Sequence, residues 1–215
     1  MEVIFFNASV NMSLRTVYSQ MVGGVFFAVL FAVAAVFISG KLKKPEKVSE
    51  VPNTRLHMPK SEFALKFSLL SLVIYPLLYF LFGYFVAWQF PLIRQFYSGS
   101  TVILPFFEHF HTMLTANPVL PLWQMARGII WVLIALPVIR MMKGRAWEAA
   151  VALGLLFSLV MNSAHFMPNP YMPPAVRLGH FIETASSNFI WGMFIVWLMH
   201  RKHISLLDLI KRHYE

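Results

Sequence analysis

Five long apolar runs dominate this chain, at Val17 to Gly40, Phe63 to Trp88, Leu122 to Met142, Trp147 to Phe166 and Val176 to Leu198. Each is near the ~20 residues that a helix needs to cross a hydrocarbon core. Lipid offers a backbone no hydrogen-bond partners, so such a run is restricted to a helix that satisfies its own amides and carbonyls. The balance of residue types agrees: 58% of the chain is hydrophobic and 13% charged, against about 25% charged in soluble domains. The expected fold is all-α, a polytopic transmembrane helical bundle of five spans forming a single integral membrane domain over residues 1–215. A sixth apolar stretch, near Val102 to Leu114, is too short and too polar to cross.

Basic residues set the expected orientation. Lys41, Lys43, Lys44, Lys47, Arg55, Lys60 and Lys66 follow the first run, Arg140, Lys143 and Arg145 follow the third, and Arg201, Lys202, Lys211 and Arg212 follow the fifth. All 14 fall on one side, and only Arg15, Arg94, Arg127 and Arg177 fall on the other. The positive-inside rule makes the 14-rich side cytoplasmic, which gives an N-out, C-in protein of the plasma (inner) membrane. Anionic lipid headgroups on that side then account for the net charge of +9 without any nucleic acid. The first run reads as an uncleaved anchor, being too long for the core of a signal peptide, with its main basic flank behind it. Sequons at Asn7 and Asn11 would lie outside, close to the membrane. Cysteine is absent, which removes disulfides, thiolate metal sites and cysteine nucleophiles.

The fifth run carries polar groups where lipid tolerates none. At 100° per residue, Arg177, His180, Glu183, Thr184, Ser187 and Asn188 share one arc of roughly 140°. An ionisable group in hydrocarbon costs about 2.5 to 3.5 kcal/mol even on the lenient insertion scale, so this arc should face protein or water. Only about nine residues, rich in proline, separate runs four and five, which makes them antiparallel neighbours and brings Asn162 and His165 to the depth of His180. In run three, Gln124, Arg127 and Trp131 share a face at the same level, and Glu183 is the expected partner of Arg127. Small residues at Gly24, Ala28 and Ala32, and at Ala150, Gly154 and Ser158, recur every four positions and favour close helix approach.

Between runs two and three, Phe106, Phe107, Phe110, Met113 and Leu114 fall on one helical face, with Glu108, His111, Thr112 and Thr115 opposite. That pattern predicts an amphipathic helix on the outer surface, capping a polar pocket between spans three, four and five. Trp88, Trp123, Tyr79, Tyr84 and Tyr97 read as an aromatic belt. Ser205, Asp208 and the leucines between them suggest a short interfacial helix in the tail.

Three functions fit this constellation. The first is an outward-facing intramembrane site for a small polar or ionic ligand, transporter- or sensor-like, built from Arg127, Asn162, His165, Arg177, His180, Glu183 and Ser187. The arginines would hold an anionic group, and His180 with Glu183 would carry a proton. The second is a membrane-embedded enzyme using a divalent metal. Glu108 and His111 (E-x-x-H) and His180 and Glu183 (H-x-x-E) have the spacing of residues that share an ion on one helix face, and His165 would complete the set. The third is an accessory subunit whose stripe faces a partner membrane protein or a second copy. Five spans without an internal repeat lack the inverted symmetry common in transporters. No Ser-His-Asp order, glycine-rich phosphate loop or nucleotide motif is present.

Overall fold

The computed structural model describes residues 13–38, 56–142, 145–168 and 171–200. The sequons, most of the basic linker after the first run, Lys143 and the tail helix lie outside the described residues. The described chain is helical, and five of its helical segments are long and apolar enough to cross a membrane: Leu14–Ala34, Lys60–Gln89, Leu120–Met141, Ala146–Phe166 and Pro174–His200. The chain divides into two compact units, Met1–Pro52 and Asn53–Glu215.

The first unit contains α1 (Leu14–Ile38). Ser13 caps it, its hydroxyl accepting the Thr16 amide at 3.2 Å. Apolar side chains surround the helix on every side, from Val22 and Phe27 to Phe31, the composition of a cylinder suited to hydrocarbon. Gly23 and Gly24 leave open space where a Cβ would sit.

In the second unit, the first span is a composite. It begins as α2 (Lys60–Ser68), widens into a π-helical segment (Leu69–Ile74) and continues as α3 (Tyr75–Phe85). The cause is Pro76, which has no amide to give and crowds the carbonyl four residues back. The ladder responds by widening, so that Tyr75 N–H reaches Leu70 O. The Ser71 hydroxyl turns back onto Phe67 O at 2.6 Å. The composite touches both α6 (Leu120–Met141) and α8 (Pro174–His200). At its crossing with α6, a Cβ on Gly128 would overlap the Ser71 carbonyl, so only glycine permits that approach.

Span four starts as α7 (Ala146–Leu155), whose N-terminus is fixed by the Glu148 carboxylate accepting the Arg145 amide at 2.7 Å. A second π-helical segment (Leu156–Val160) and a 3-10 turn (Ser163–Phe166) end it. α7 and α8 pack along most of their length. The expected small-residue stripe is used here: a Cβ on Gly192 would lie 2.7 Å from Gly154 N, and one on Gly154 would lie 3.0 Å from Phe189. Around this crossing sits a dry core of Leu70, Val132, Ala135, Leu153, Phe157, Trp191 and Ile195.

Two helices join spans two and three. The first, α4 (Pro91–Ser98), was not anticipated, although proline at its start and glycine beyond its end are the usual punctuation. Gly99 closes it with φ 69°, a backbone setting that favours glycine. The second, α5 (Phe106–Ala116), matches the amphipathic stretch but presents a different face. Phe107 is 81% exposed. Phe106 instead stacks on Phe85, Phe110 meets Phe80 edge-on, and His109 lies 4.5 Å from the Trp88 ring. These ring contacts of α5 go to the end of span two, a different place from the expected cap over spans three to five.

Two arginine and lysine assignments also change. Lys66, expected among the headgroups, is 0% exposed and bound to Glu62 Oε1 at 2.6 Å. Arg94 is buried as well, donating to Thr101 O at 2.7 Å and Trp88 O at 2.5 Å.

Candidate functional site

The polar arc of α8 faces inward as its spacing predicts: Glu183, Ser187 and Asn188 are buried and Arg177, His180 and Thr184 half-buried. Its hydroxyls are satisfied within the helix. Thr184 Oγ1 donates to His180 O at 2.6 Å and Ser187 Oγ to Thr184 O at 3.3 Å, so Ser187 serves its own backbone. His180 and Glu183 are long enough to reach further.

Glu183, 6% exposed, is the centre. His180 Nδ1 lies 3.5 Å from Glu183 Oε2, and His180 Nε2 lies 3.0 Å from Tyr97 Oη. With the ring proton on Nδ1, facing the carboxylate, Nε2 is left to accept the Tyr97 O–H. Tyr97 comes from α4, and two packing features bring it there. Gly179 lets Ile93 dock against α8, since a Cβ at 179 would come within 2.5 Å of Ile93 Cδ1. Arg94 then ties α4 to the neighbouring carbonyls. Burial and the Glu183 charge push the Tyr97 phenol up, which holds its proton in place.

A second layer lies against α6. Arg127 donates to Gln124 Oε1 at 3.2 Å and sits 5.8 Å over the Tyr75 ring, a distance at which a guanidinium is attracted to an aromatic face. Tyr75 Oη accepts from Trp131 Nε1 at 3.1 Å, and the Tyr75 ring packs on Trp191 at 5.4 Å. The Trp191 indole N–H is buried with no acceptor among the described residues. The Glu183 carboxylate is close enough for its charge to act on Tyr75, Tyr79, Tyr97, Arg127 and His165. Arg127 and Glu183 are thus electrostatic neighbours, while the contact at bonding range is the one to His180.

Other expected members have local duties. The Asn162 amide donates to Phe157 O and Ser158 O, both at 2.9 Å, and so closes the widened end of span four. His165 Nδ1 meets Asn162 O at 3.1 Å. Arg177 donates to Met172 O at 3.1 Å, holding the turn before α8. Glu108 and His111 stand exposed on α5, apart from the Phe106, His109 and Phe110 face that packs. Among the described residues, no group of three histidine or acidic side chains converges as a metal site. The sequence pattern puts Tyr79 and Tyr97 in an aromatic belt and gives Tyr75 no role, yet all three are within range of the Glu183 charge. The site is therefore framed by spans two, three and five with α4, with span four contributing its end at His165.

Compared with known proteins, the chain matches no family model, no curated protein and no solved structure.

Proposed function

We propose that this is an integral protein of a plasma (inner) membrane, N-terminus outside and C-terminus cytoplasmic, whose spans bundle around a binding site for a small polar or ionic ligand. The observation that supports this most is the chain Tyr97, His180, Glu183, which joins a buried carboxylate to a half-buried imidazole and phenol. An ionisable side chain at membrane depth is retained for a use, because its burial opposes folding. The adjoining Arg127 favours a ligand with an anionic group, and the buried Trp191 N–H supplies a further donor to the same region.

The chemistry is proton-linked binding, as in a transporter or sensor. Glu183 takes the Nδ1 proton of His180, Nε2 takes the Tyr97 proton, and the phenol regains one from water. Imidazole and phenol end neutral, and Glu183 has gained one proton. An ionised Glu183 competes with an incoming anion for the Arg127 charge; a neutral Glu183 does not.

The test is a thermal-shift series on the full chain in detergent, using acetate, lactate and inorganic phosphate as probes across pH 5 to 8. At least one probe should stabilise the wild type more at low pH, and His180→Gln and Glu183→Gln should abolish that shift while melting near the wild-type temperature without probe. Equal stabilisation of both variants would remove the site. Stoichiometric zinc in the purified protein would instead favour the metal-dependent enzyme. Orientation is checked separately by a cysteine at Thr112, which should be labelled from outside; labelling from the cytoplasm would reverse the topology.

A further inference from the structure

At the opposite end of α8 from His180, an apolar groove of about 810 Å³ runs between the beginning of α7 and the end of α8. Trp147, Val151, Met193, Phe194, Trp197 and His200 line it. Its volume is in the range of sites that enclose small molecules, roughly 300 to 1,000 Å³. Its floor has a definite origin. Gly154 and Gly192 bring the two backbones together just beyond it, and the large side chains on either side stand up as walls.

The ends of the groove differ in chemistry. The walls are hydrocarbon and two indoles, Trp147 and Trp197, which are 61% and 54% exposed. Tryptophan of this kind favours the boundary between acyl chains and headgroups. At the same end, Arg145 is exposed directly before α7, Arg140 is exposed at the close of α6, and His200 lines the groove. The nearby acid, Glu148, has its carboxylate on the Arg145 amide. An apolar trough with a cationic end is complementary to an amphiphile with an acyl chain and an anionic head.

We infer that this groove is a binding site for an anionic phospholipid, with an acyl chain along Val151, Met193 and Phe194 and the phosphate group at Arg145. The cationic end makes the site selective, because each basic side chain near a membrane surface favours an anionic headgroup about fivefold. The site is separate from the Glu183 cluster and does not depend on its function.

Native mass spectrometry of the full chain, released from mixed micelles with equal phosphatidylglycerol and phosphatidylcholine, tests this. The wild type should retain phosphatidylglycerol about fivefold or more over phosphatidylcholine. Arg145→Gln keeps the backbone amide that binds Glu148, so the fold should survive, and it should lower phosphatidylglycerol retention about fivefold while leaving phosphatidylcholine unchanged. Val151→Trp fills the trough and should release both lipids. Equal retention of the two lipids by the wild type would overturn the proposal. So would unchanged selectivity in Arg145→Gln, or a wild-type dimer that Val151→Trp converts to monomer, which would make the groove a seat for a second copy.

Discussion

From Pro174 to Asn188 the inward face of α8 carries Val176 and Gly179 and then Glu183, Ser187 and Asn188; from Phe189 to His200 it carries only apolar residues, Trp191, Gly192, Ile195, Val196, Leu198 and Met199. Both halves are buried, yet they are held by different means. Lipid tails are as apolar as leucine, so burying Ile195 in place of a lipid contact gives little drive, and close fit must supply the attraction. Gly154 and Gly192 provide that fit. In the first half the concern is reversed: every polar atom removed from water needs a partner. The short side chains there bond their own helix, and His180 reaches across to Tyr97 on α4. Tight packing in one half and side-chain reach in the other teach that polarity along a membrane helix marks where neighbours must be polar, whereas glycine marks where they must be near.

The largest test of that contrast is at the charged layer. Replacing Arg127 or Glu183 singly by leucine leaves the other charge without the opposite one that acts on it, and should destabilise the detergent-solubilised protein by about 3 kcal/mol, the upper end for coupled neighbours. The double replacement should be milder than the sum. Additive losses in thermal or denaturant melting would mean that the two charges do not compensate each other.

A smaller effect is expected in the packed half. Gly192→Leu forces atoms against the Gly154 backbone and should cost about 1 to 3 kcal/mol by the same melting assay. A neutral outcome would show that the two halves are not held differently after all. Smaller again is the hydrogen bond at the border between them. Trp131→Phe should cost about 0.6 kcal/mol, near the mean for interhelical bonds in membranes, and Tyr75→Phe in that background should add little beyond it.

The smallest effect concerns α5, which rests on span two through His109. Burial pushes the His109 imidazole down from its ordinary value. The packed helix therefore binds fewer protons than the released one, and its docking is stronger at higher pH. As pH falls from about 6.5 downward, docking should weaken. The protection of α5 amides from hydrogen exchange, taken relative to the intrinsic exchange rate at each pH, should be lower at pH 5.5 than at pH 7.5, and His109→Phe should remove most of the difference. Equal protection at both pH values would show that the ring contacts alone hold α5.

The five spans were readable because length and composition suffice for them, and each lies within a few residues of its apolar run. The inward turn of Glu183, Ser187 and Asn188 was readable from helical period. Tyr97 was not, because its partner His180 is 83 positions away and only the docking of Ile93 on Gly179 brings them together. Tyr75 has no role in the sequence pattern and Tyr79 only a place in the belt, because the π-helical segment shifts their phase relative to the start of the span. Period alone gives an apolar face about as wide as Phe106, Phe107 and Phe110 together, whereas the packing on span two uses one side of it and leaves Phe107 exposed. Lys66 looked like a headgroup contact because basic count ignores burial, and its partner Glu62 lies one turn earlier on the same helix.

The wide turn at Leu69–Ile74 has a consequence for how this chain tolerates changes in length. Each residue of an α-helix advances the azimuth by about 100°, and the wide turn already absorbs one residue more than a regular turn. A deletion inside it would restore a regular ladder and leave Tyr75 and Tyr79 near their present azimuth, whereas one residue added in the regular helix just before Tyr75 would swing both around the axis. Upstream, the Lys66–Glu62 pair and the Ser71 approach to Gly128 anchor the helix; downstream, the tyrosines would then face away from the acid. The count of residues between those anchors and Tyr79 thus acts as a timing mark, and an insertion that alters no apolar side chain in kind would disassemble the site while leaving a span long enough to cross.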